Sequence, residues 1–338
     1  MKILYPFSKI YQALSAVDRK LAKPRKFDKP VISVGNLTWG GTGKTPVVIE
    51  ILKLLVKNNL KPAVLTRGYG RRNNVPLLLK NGAVGISPED SGDEPLLIAR
   101  SIPQAYVIVG ADRFETARFF KDEIKPDVFI LDDGFQHWKI KRDLDIVCIN
   151  AANPFGNKML IPAGILREKP EALKRADVLM LTNSDMASSR EIKALKKRIS
   201  KYSKVKPYLT YYGKLQYKTA DLNKNFDSKI LKRNKCAAIS AIGFSKGFKK
   251  SLEKTGVRPE KFIILKDHHK YDGKTLERIF TKAGRNFYFV TTAKDAVKIS
   301  SLLGGKIKKR VAVLTVEPQF KTGKGKWEKT ILKAAKKH

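Results

Sequence analysis

The sequence predicts an α/β protein with a mostly parallel sheet flanked by helices and a smaller second α/β domain. The first observation is the length of 338 residues, which exceeds the usual size of one domain. The second is that short β-rich runs alternate with helical stretches, a pattern typical of βα units on a parallel sheet. The third is a Lys- and Tyr-rich segment at 201–235 that interrupts this alternation.

The composition indicates a globular and strongly basic chain. Hydrophobic residues make up 42% of the sequence, which is enough to form buried cores. The formal charge of +38 favours polyanionic partners, whether nucleic acid, anionic lipid or a phosphorylated substrate. Charge alone does not choose among them, and a solvated lysine-rich surface is the alternative. Residues 101–150 differ, with 9 acidic against 7 basic residues, which indicates a local need for carboxylates.

Residues 1–27 are predicted to form an amphipathic helix. Apolar residues recur at three- and four-residue steps from Ile3 to Leu21, and basic residues accompany them. Such a helix suits a lipid interface, where apolar side chains enter the acyl boundary and cations meet anionic head groups. The alternative is a helix that packs on its own domain, as amphipathic helices usually do.

The first α/β domain is predicted at 28–205, where the alternation begins at Pro30. Its strand candidates are 31–36, 62–68, 105–110, 127–133, 145–150 and 177–183. Its helix candidates lie near 44–58, 94–101 and 112–122. The stretch 206–235 has weak patterning and is predicted to be a hinge or connector.

The second, smaller α/β domain is predicted at 236–320, where the alternation resumes. Its strand candidates are 236–242, 261–265, 287–292 and 310–316, and its helix candidates lie near 245–255 and 273–283. The remaining basic segment, 321–338, is expected to form a surface helix or a frayed terminus.

The cysteines and the hydropathy pattern indicate an intracellular protein. Cys148 and Cys236 lie in strand-like runs and match no metal or redox spacing, so buried thiols in a reducing compartment are expected. No run of about 18 apolar residues is present, and the N-terminus lacks the pattern of a signal peptide. We therefore expect the protein in the cytoplasm or on a membrane facing it.

A glycine-rich turn ending in Gly-Lys-Thr follows the predicted strand at 31–36 and precedes a helix, which predicts a P-loop. In such a loop, backbone N–H groups surround the phosphates, Lys44 reaches their oxygens and Thr45 binds Mg²⁺. The pattern GxxxxGK[ST] asks for glycine where this chain has Thr38, and the Gly-Gly pair after it compensates. A chance glycine-rich turn is the alternative. The predicted nucleotide-binding residues are Thr38, Trp39, Gly40, Gly41, Thr42, Gly43, Lys44 and Thr45.

A second motif, which is acidic, completes the prediction of a P-loop NTPase-like fold. The apolar run at 128–131 ends in Asp132 and Asp133, and paired aspartates leaving such a strand are costly to bury unless they are paired or bind a metal. A P-loop protein normally holds its Mg²⁺ with a carboxylate at this point. A turn or helix cap is the alternative. The segment 182–185 lacks the Lys of the guanine-selective Asn-Lys-x-Asp motif, which favours ATP.

A set of short motifs occurs in one order along the chain. They are VGNLTWGGTGKTP (34–46), TRGYGRR (66–72), SGDEP (91–95), GADRF (110–114), ILDDGFQH (130–137), IPAGILRE (161–168), KDHHKYD (266–272) and TTAKD (291–295). Together these motifs resemble one family, the tetraacyldisaccharide 4′-kinases, which act on lipid A precursors in Gram-negative bacteria. The resemblance implies transfer of a phosphoryl group from MgATP to the 4′-hydroxyl of a tetraacylated glucosamine disaccharide 1-phosphate. It also implies an anionic membrane surface as partner, at the cytoplasmic face of the inner membrane, and no nucleic acid.

The resemblance also implies roles for residues that the sequence alone leaves ambiguous. Asp93 precedes a predicted helix, and on its own a helix cap is the simpler interpretation. The family pattern makes Asp93 the general base and pairs it with His268 of the second domain, so closure of the two domains would assemble the base.

Further roles rest on the family motifs alone. Arg113 and Arg167 are implied to stabilise charge on the transferred phosphoryl group or to bind the 1-phosphate of the lipid. Glu168 is implied to assist the metal. Residues implied to orient phosphate or acceptor are Asn36, Tyr69 and Gln136.

Two other functions stay open from the sequence. One is a P-loop GTPase or ATPase that binds nucleic acid, although no RNA-binding aromatic motif is found. The other is a nucleotide-binding scaffold at a membrane. The oligomeric state is unknown from the sequence.

Overall fold

The computed structural model describes residues 4–267, 269–284 and 286–337. The strands are β1 (Val31–Asn36), β2 (Pro62–Thr66), β3 (Leu77–Leu79), β4 (Tyr106–Val109), β5 (Val128–Asp132), β6 (Leu144–Asn150), β7 (Val178–Thr182), β8 (Tyr208–Thr219), β9 (Cys236–Ser240), β10 (Lys261–Ile264), β11 (Tyr288–Thr292) and β12 (Val311–Phe320). The helices are α1 (Tyr5–Leu21), α2 (Lys44–Lys57), α3 (Pro88–Ser91), α4 (Asp93–Ser101), α5 (Arg113–Ile124), α6 (Ser189–Ile199), α7 (Ser228–Arg233), α8 (Ser245–Thr255), α9 (Gly273–Ala283), α10 (Ala293–Ile299), α11 (Gly305–Lys308) and α12 (Lys324–Ala335).

The strands form one 12-stranded sheet in the order β10-β9-β11-β12-β8-β7-β6-β1-β5-β2-β4-β3. Neighbouring strands are parallel except for β3 with β4 and β8 with β12. The inner strands β1, β5, β6 and β7 are buried along their whole length, as expected when helices cover both faces of a parallel sheet. The predicted α/β fold class is confirmed.

Strand β8 joins two parts of the sheet: the first part contains β1 to β7, and the second part contains β9 to β12. It pairs in parallel with β7 and antiparallel with β12. The sequence pattern is weak here because only Thr210 and Tyr217 of β8 are buried, while its other side chains are partly or fully exposed. The connector predicted at 206–235 thus begins with a long strand, and the predicted domain limits stay predictions.

The sequence predicts a surface helix or a frayed terminus for the basic segment 321–338, and most of it forms the helix α12. One face of this helix is buried: Trp327 and Ile331 are fully buried and belong to the same apolar cluster as Val34 of β1 and Ile51 of α2. The sequence does not show this buried face because the many lysines of the segment lie on the exposed face of the helix. Cys148 and Cys236 are buried free thiols, as predicted.

The predicted N-terminal helix is present as α1. Most of its apolar stripe is exposed, although Tyr11 packs in part against the core. Phe7, Ile10, Leu14 and Leu21 are 56–72% exposed. The opposite side of the helix is fixed, since Ser8 is buried. Within the part of the chain that the structure describes, no helix is long and apolar enough to span a membrane.

Candidate active site

The P-loop connects β1 to α2 as predicted. Gly43, the residue before α2, has φ 79°, a backbone conformation that favours glycine because it has no Cβ. The loop is fixed to the end of β7, where Thr182 Oγ1 donates a hydrogen bond of 2.8 Å to the carbonyl oxygen of Thr42. The N-terminus of α2, with its unpaired N–H groups and partial positive charge, therefore faces the space where phosphates bind in such loops.

The departure from the P-loop pattern at Thr38 has a structural explanation. Thr38 is buried and forms an antiparallel bridge with Leu166, and the N–H of Trp39 donates to Ile165 O at 2.7 Å. This part of the loop is thus a short extended segment paired with the 160–167 loop, and it needs no glycine. Asn36 closes the turn by donating from Nδ2 to Thr38 O, at a distance of 2.7 Å.

Asp133 lies opposite the P-loop lysine. Its Oδ1 is 3.5 Å from Lys44 Nζ, and both of its carboxylate oxygens accept from Arg167 Nη1, at 2.7 and 2.9 Å. Removal from bulk water raises the pKa of Asp133, but the positive charges of Lys44 and Arg167 more than offset this and hold the pKa well below its usual value. Asp133 is therefore an ionised group fixed between two cations.

Asp132, at the end of β5, has a different environment. It is 2% exposed, and Thr66 Oγ1 donates to its Oδ2 at 3.3 Å. Burial and the carboxylates of Glu94 and Asp133 raise its pKa to about 7. A divalent cation beside Asp132 would supply the positive charge that this buried carboxylate requires. Since Mg²⁺ usually takes one or two carboxylates and completes its shell with phosphate oxygens and water, Asp132 and Thr45 fit such a site.

Glu168, also predicted near the metal, is held by a cation and an amide. Its oxygens accept from Arg175 Nη2 at 2.9 and 3.0 Å and from Gln136 Nε2 at 2.9 Å. Gln136 also donates to Asn36 O at 2.9 Å. These contacts join Glu168 to the end of β1, so Gln136 and Asn36 are seen here as residues that fix the geometry of the loops.

Arg113 and Tyr69, the remaining candidates, both line the large cavity at the P-loop. Arg113, the first residue of α5, is 8% exposed. Burial lowers its pKa, and the nearby carboxylates of Asp133 and Asp132 oppose this effect. Tyr69 is 75% exposed at the cavity rim.

Asp93 is the first residue of α4, one residue after the cap position, which Gly92 occupies with φ 89°. Asp93 is 9% exposed, and its Oδ1 accepts from the N–H of Glu94 at 2.9 Å. Its Oδ2 is 3.9 Å from Lys294 Nζ of α10. His268, the predicted partner of Asp93, lies outside the described residues.

One cavity of about 1070 Å³ is lined from both parts of the sheet and joins the P-loop to the predicted site residues Tyr69, Asp93, Arg113, Asp132, Asp133, Gln136 and Arg167. Asn36 and Glu168 are not among its lining residues. A Cβ added to Gly41 of the P-loop would lie 3.1 Å from Phe244 Cβ, so the loop before α8 reaches the P-loop directly. The sequence pattern predicts no role for the lining residues from β8, β12 and α10, although Lys294 of α10 lies in the TTAKD motif (291–295). These residues include Tyr212, Gln216, Lys294, Thr315 and Glu317.

A lysine-bearing P-loop, a buried aspartate at the end of the adjacent strand and several arginines on one cavity define a P-loop phosphotransferase. Comparison with known proteins specifies which one. The family model described as "LpxK: Tetraacyldisaccharide-1-P 4'-kinase" matches residues 1–336. The chain belongs to this family, and it is an enzyme, a kinase of lipid A biosynthesis.

Individual relatives agree with the family model. The tetraacyldisaccharide 4'-kinase of Syntrophus aciditrophicus is 37% identical over 84% of this chain and 79% of its own length. That of Bdellovibrio bacteriovorus is 36% identical over 88% of this chain and 89% of its own length. The crystal structure of LpxK from Aquifex aeolicus in complex with ATP has a TM-score of 0.76 and 28% identity, and the match covers 97% of both chains. The alternatives of a nucleic-acid-binding NTPase or a scaffold are not favoured.

Proposed function

We propose that the cavity transfers the γ-phosphate of ATP to the 4′-hydroxyl of a tetraacylated glucosamine disaccharide 1-phosphate, with Mg²⁺ as cofactor and Asp93 as general base. The observation that carries this proposal is the convergence of the P-loop, Asp132, Asp133 and Asp93 on one cavity. A lysine next to a helix N-terminus binds phosphates, and a nearly buried carboxylate is suited to receive a proton.

The phosphate end of the cavity is formed by Lys44 and the P-loop backbone. Lys44 is drawn towards Asp133 at 3.5 Å, so its ammonium is in place to move to the β- and γ-phosphate oxygens. Arg113 and Arg167 add positive charge near the same point, where negative charge develops on the transferred group. Thr45 and Asp132, with support from Glu168, would hold Mg²⁺, which when bound would supply positive charge to neutralise the phosphates.

At the acceptor end, Asp93 takes the proton of the 4′-hydroxyl while that oxygen forms its bond to the γ-phosphorus. The bond between the γ-phosphorus and the bridging oxygen breaks, and its electron pair leaves with ADP. Asp93 suits this task because the N–H of Glu94 fixes one of its oxygens at 2.9 Å. A fixed carboxylate removes the entropic cost of finding the reactive geometry.

The lipid acceptor is reached at the cytoplasmic face of the inner membrane, where α1 lies in the interface. The exposed stripe of α1 includes Phe7 at 56% and Leu14 at 65% exposure, and basic residues flank it. Ser8, on the opposite side, donates to Leu160 O at 2.9 Å and accepts from Ala163 N at 3.1 Å. The loop that holds Ser8 also pairs with the P-loop, through the bridge between Leu166 and Thr38. A membrane-bound α1 would therefore keep the phosphate site close to the lipid surface.

The proposed reaction is tested by product analysis. Purified protein is incubated with MgATP and the disaccharide 1-phosphate dispersed in detergent, and mass spectrometry locates the added phosphate. We expect a 4′-phosphorylated product from the wild type and almost none from Lys44→Met. If the wild type forms no product under conditions in which a proven 4′-kinase is active, the proposal fails.

A further inference from the structure

The TTAKD motif at 291–295 supplies no group to the proposed phosphoryl transfer, yet its Lys294 lies beside the proposed base. The motif ends β11 and begins α10, which packs on α4. Lys294 Nζ is 2.9 Å from Glu94 Oε1 and 3.9 Å from Asp93 Oδ2. Lys294 is thus paired with Glu94, which lies 200 residues earlier in the chain, and lies close to the adjacent Asp93.

The ammonium of Lys294 is charged and held in place. Its side chain is 18% exposed. Burial lowers its pKa, but the carboxylates of Glu94 and Asp93 outweigh that effect and raise the pKa above its usual value, with a smaller contribution from Asp267. Lys294 therefore carries its positive charge to the base at any pH at which the enzyme would work.

The first turn of α10, which contains Lys294, is held by several hydrogen bonds. Thr292 caps the helix by accepting from the N–H of Asp295 at 3.1 Å and donating to its carboxylate at 2.8 Å. Asp295 is fully buried and also accepts from Ala241 N at 3.0 Å. Lys298 lies 3.2 Å from the other carboxylate oxygen of Asp295. These contacts connect the first turn of α10 to the end of β11 and to Ala241, directly after β9, and so fix the backbone from which the Lys294 side chain extends.

We propose that Lys294 is a positioning residue for the phosphoryl transfer, holding the carboxylate of Asp93 in its reactive orientation and ionised state. The proposal rests on the proposed role of Asp93 as base. With the Glu94 N–H on Oδ1 and the Lys294 ammonium beside Oδ2, both oxygens of Asp93 have a fixed positive neighbour. An ammonium near a carboxylate favours the charged form, which is the form that accepts the acceptor proton.

Lys294 has a second effect through Glu94. The Glu94 carboxylate raises the pKa of buried Asp132, so a Glu94 without its cation would add unbalanced negative charge to the cavity. Two roles are therefore separable by mutation. If Lys294 acts on Asp93 directly, removing Glu94 as well does not restore the rate, whereas a lysine that only neutralises Glu94 becomes dispensable once Glu94 is neutral.

The test compares Lys294→Met with Lys294→Arg and with the double variant Lys294→Met/Glu94→Gln. We expect Lys294→Met to lower kcat by about 10- to 100-fold, with KM for ATP within about threefold, because a misplaced base costs turnover and not nucleotide binding. Lys294→Arg should recover at least half of that loss on a logarithmic scale. The double variant should stay as slow as Lys294→Met, and recovery of the wild-type rate by the double variant would overturn the proposal.

A matched control separates positioning from helix packing. Arg100 Nη1 of α4 donates to Ser300 Oγ after α10 at 3.2 Å, so Ser300→Ala removes a different polar contact between the same two helices. Ser300→Ala should keep kcat within about twofold, and thermal melting should show Lys294→Met folded. A kcat for Lys294→Met within threefold of wild type, or an equal loss in Ser300→Ala, would refute the inference. Asp93→Asn tests the proposed base itself. If Asp93→Asn is active, Asp93 is not the base. If Asp93→Asn is inactive while Lys294→Met has the wild-type kcat, only the proposed role of Lys294 is refuted.

Discussion

The buried tryptophan of α12 provides a stability prediction that can be worked out from the structure. Trp327 is fully buried, with its ring 5.0 Å from that of Phe320. A buried tryptophan removes about 150–250 Å² from water, and at about 25 cal/mol per Å² this is roughly 4–6 kcal/mol. The remaining alanine and partial burial in the unfolded chain reduce the expected loss for Trp327→Ala to about 3–5 kcal/mol.

A conservative variant sharpens the prediction. Among the described residues, the indole nitrogen of Trp327 has no hydrogen-bond partner, so Trp327→Phe gives up packing but no hydrogen bond and should lose only about 1–2 kcal/mol. An equal loss in the free energy of unfolding for both variants would show that stability does not depend on the volume of the side chain at this position.

Urea unfolding followed by far-UV circular dichroism measures these changes. The matched control is Trp39→Ala, because Trp39 is 65% exposed and its truncation should change the free energy of unfolding by less than about 0.5 kcal/mol. A loss below 1 kcal/mol for Trp327→Ala, or one equal to that of Trp39→Ala, would refute the account in which the C-terminal helix completes the core of the first part of the sheet.

Three further predictions concern the membrane, the metal site and the P-loop. The double variant Ile10→Ser/Leu14→Ser should reduce flotation with anionic vesicles at least several-fold, while turnover of detergent-dispersed substrate stays at the wild-type level. The control Phe119→Ser, which also removes an exposed apolar side chain, should float like the wild type. Unchanged flotation of the double variant would argue against α1 as the membrane anchor. The raised pKa of Asp132 means that the folded protein holds its proton more tightly than the unfolded chain, so without Mg²⁺ and ATP its contribution to stability falls as pH rises from about 4 to 7. Asp132→Asn should then raise the melting temperature by about 2 °C or more at pH 8, with a smaller gain at pH 5, and a gain that is larger at pH 5 would contradict the assignment. Lys44→Met should lower kcat by at least about 100-fold, because it removes charge stabilisation from the transferred phosphoryl group, and near-normal steady-state turnover would contradict the P-loop assignment.

The parts of the site that the sequence predicts are local in the chain. The P-loop is recognisable because strand, glycine-rich turn, Lys44 and helix are consecutive, and Asp132 and Asp133 are recognisable because they end an apolar strand. Such short-range patterns follow from backbone geometry and the cost of burying charge.

The parts that escape the sequence depend on which distant segments meet. Lys294 reaches Glu94 only because α10 packs on α4, and no spacing in the chain indicates that contact. Likewise, β8 has too few buried positions to show a strand pattern, and the many lysines of α12 hide the buried face that contains Trp327. The cap interpretation of Asp93 could be judged only once Gly92 was seen to occupy the cap position.

In the proposed mechanism, Asp93 is the base for phosphoryl transfer in this cavity. The most direct measurement is kcat of Asp93→Asn with MgATP and the disaccharide 1-phosphate at saturating concentrations, since asparagine keeps the size of the side chain and loses the ability to accept the proton. We predict a fall in kcat of about 10²–10⁴-fold with little change in KM for ATP. A fall of only a few fold would contradict the account and leave Asp93 as a structural residue at the start of α4.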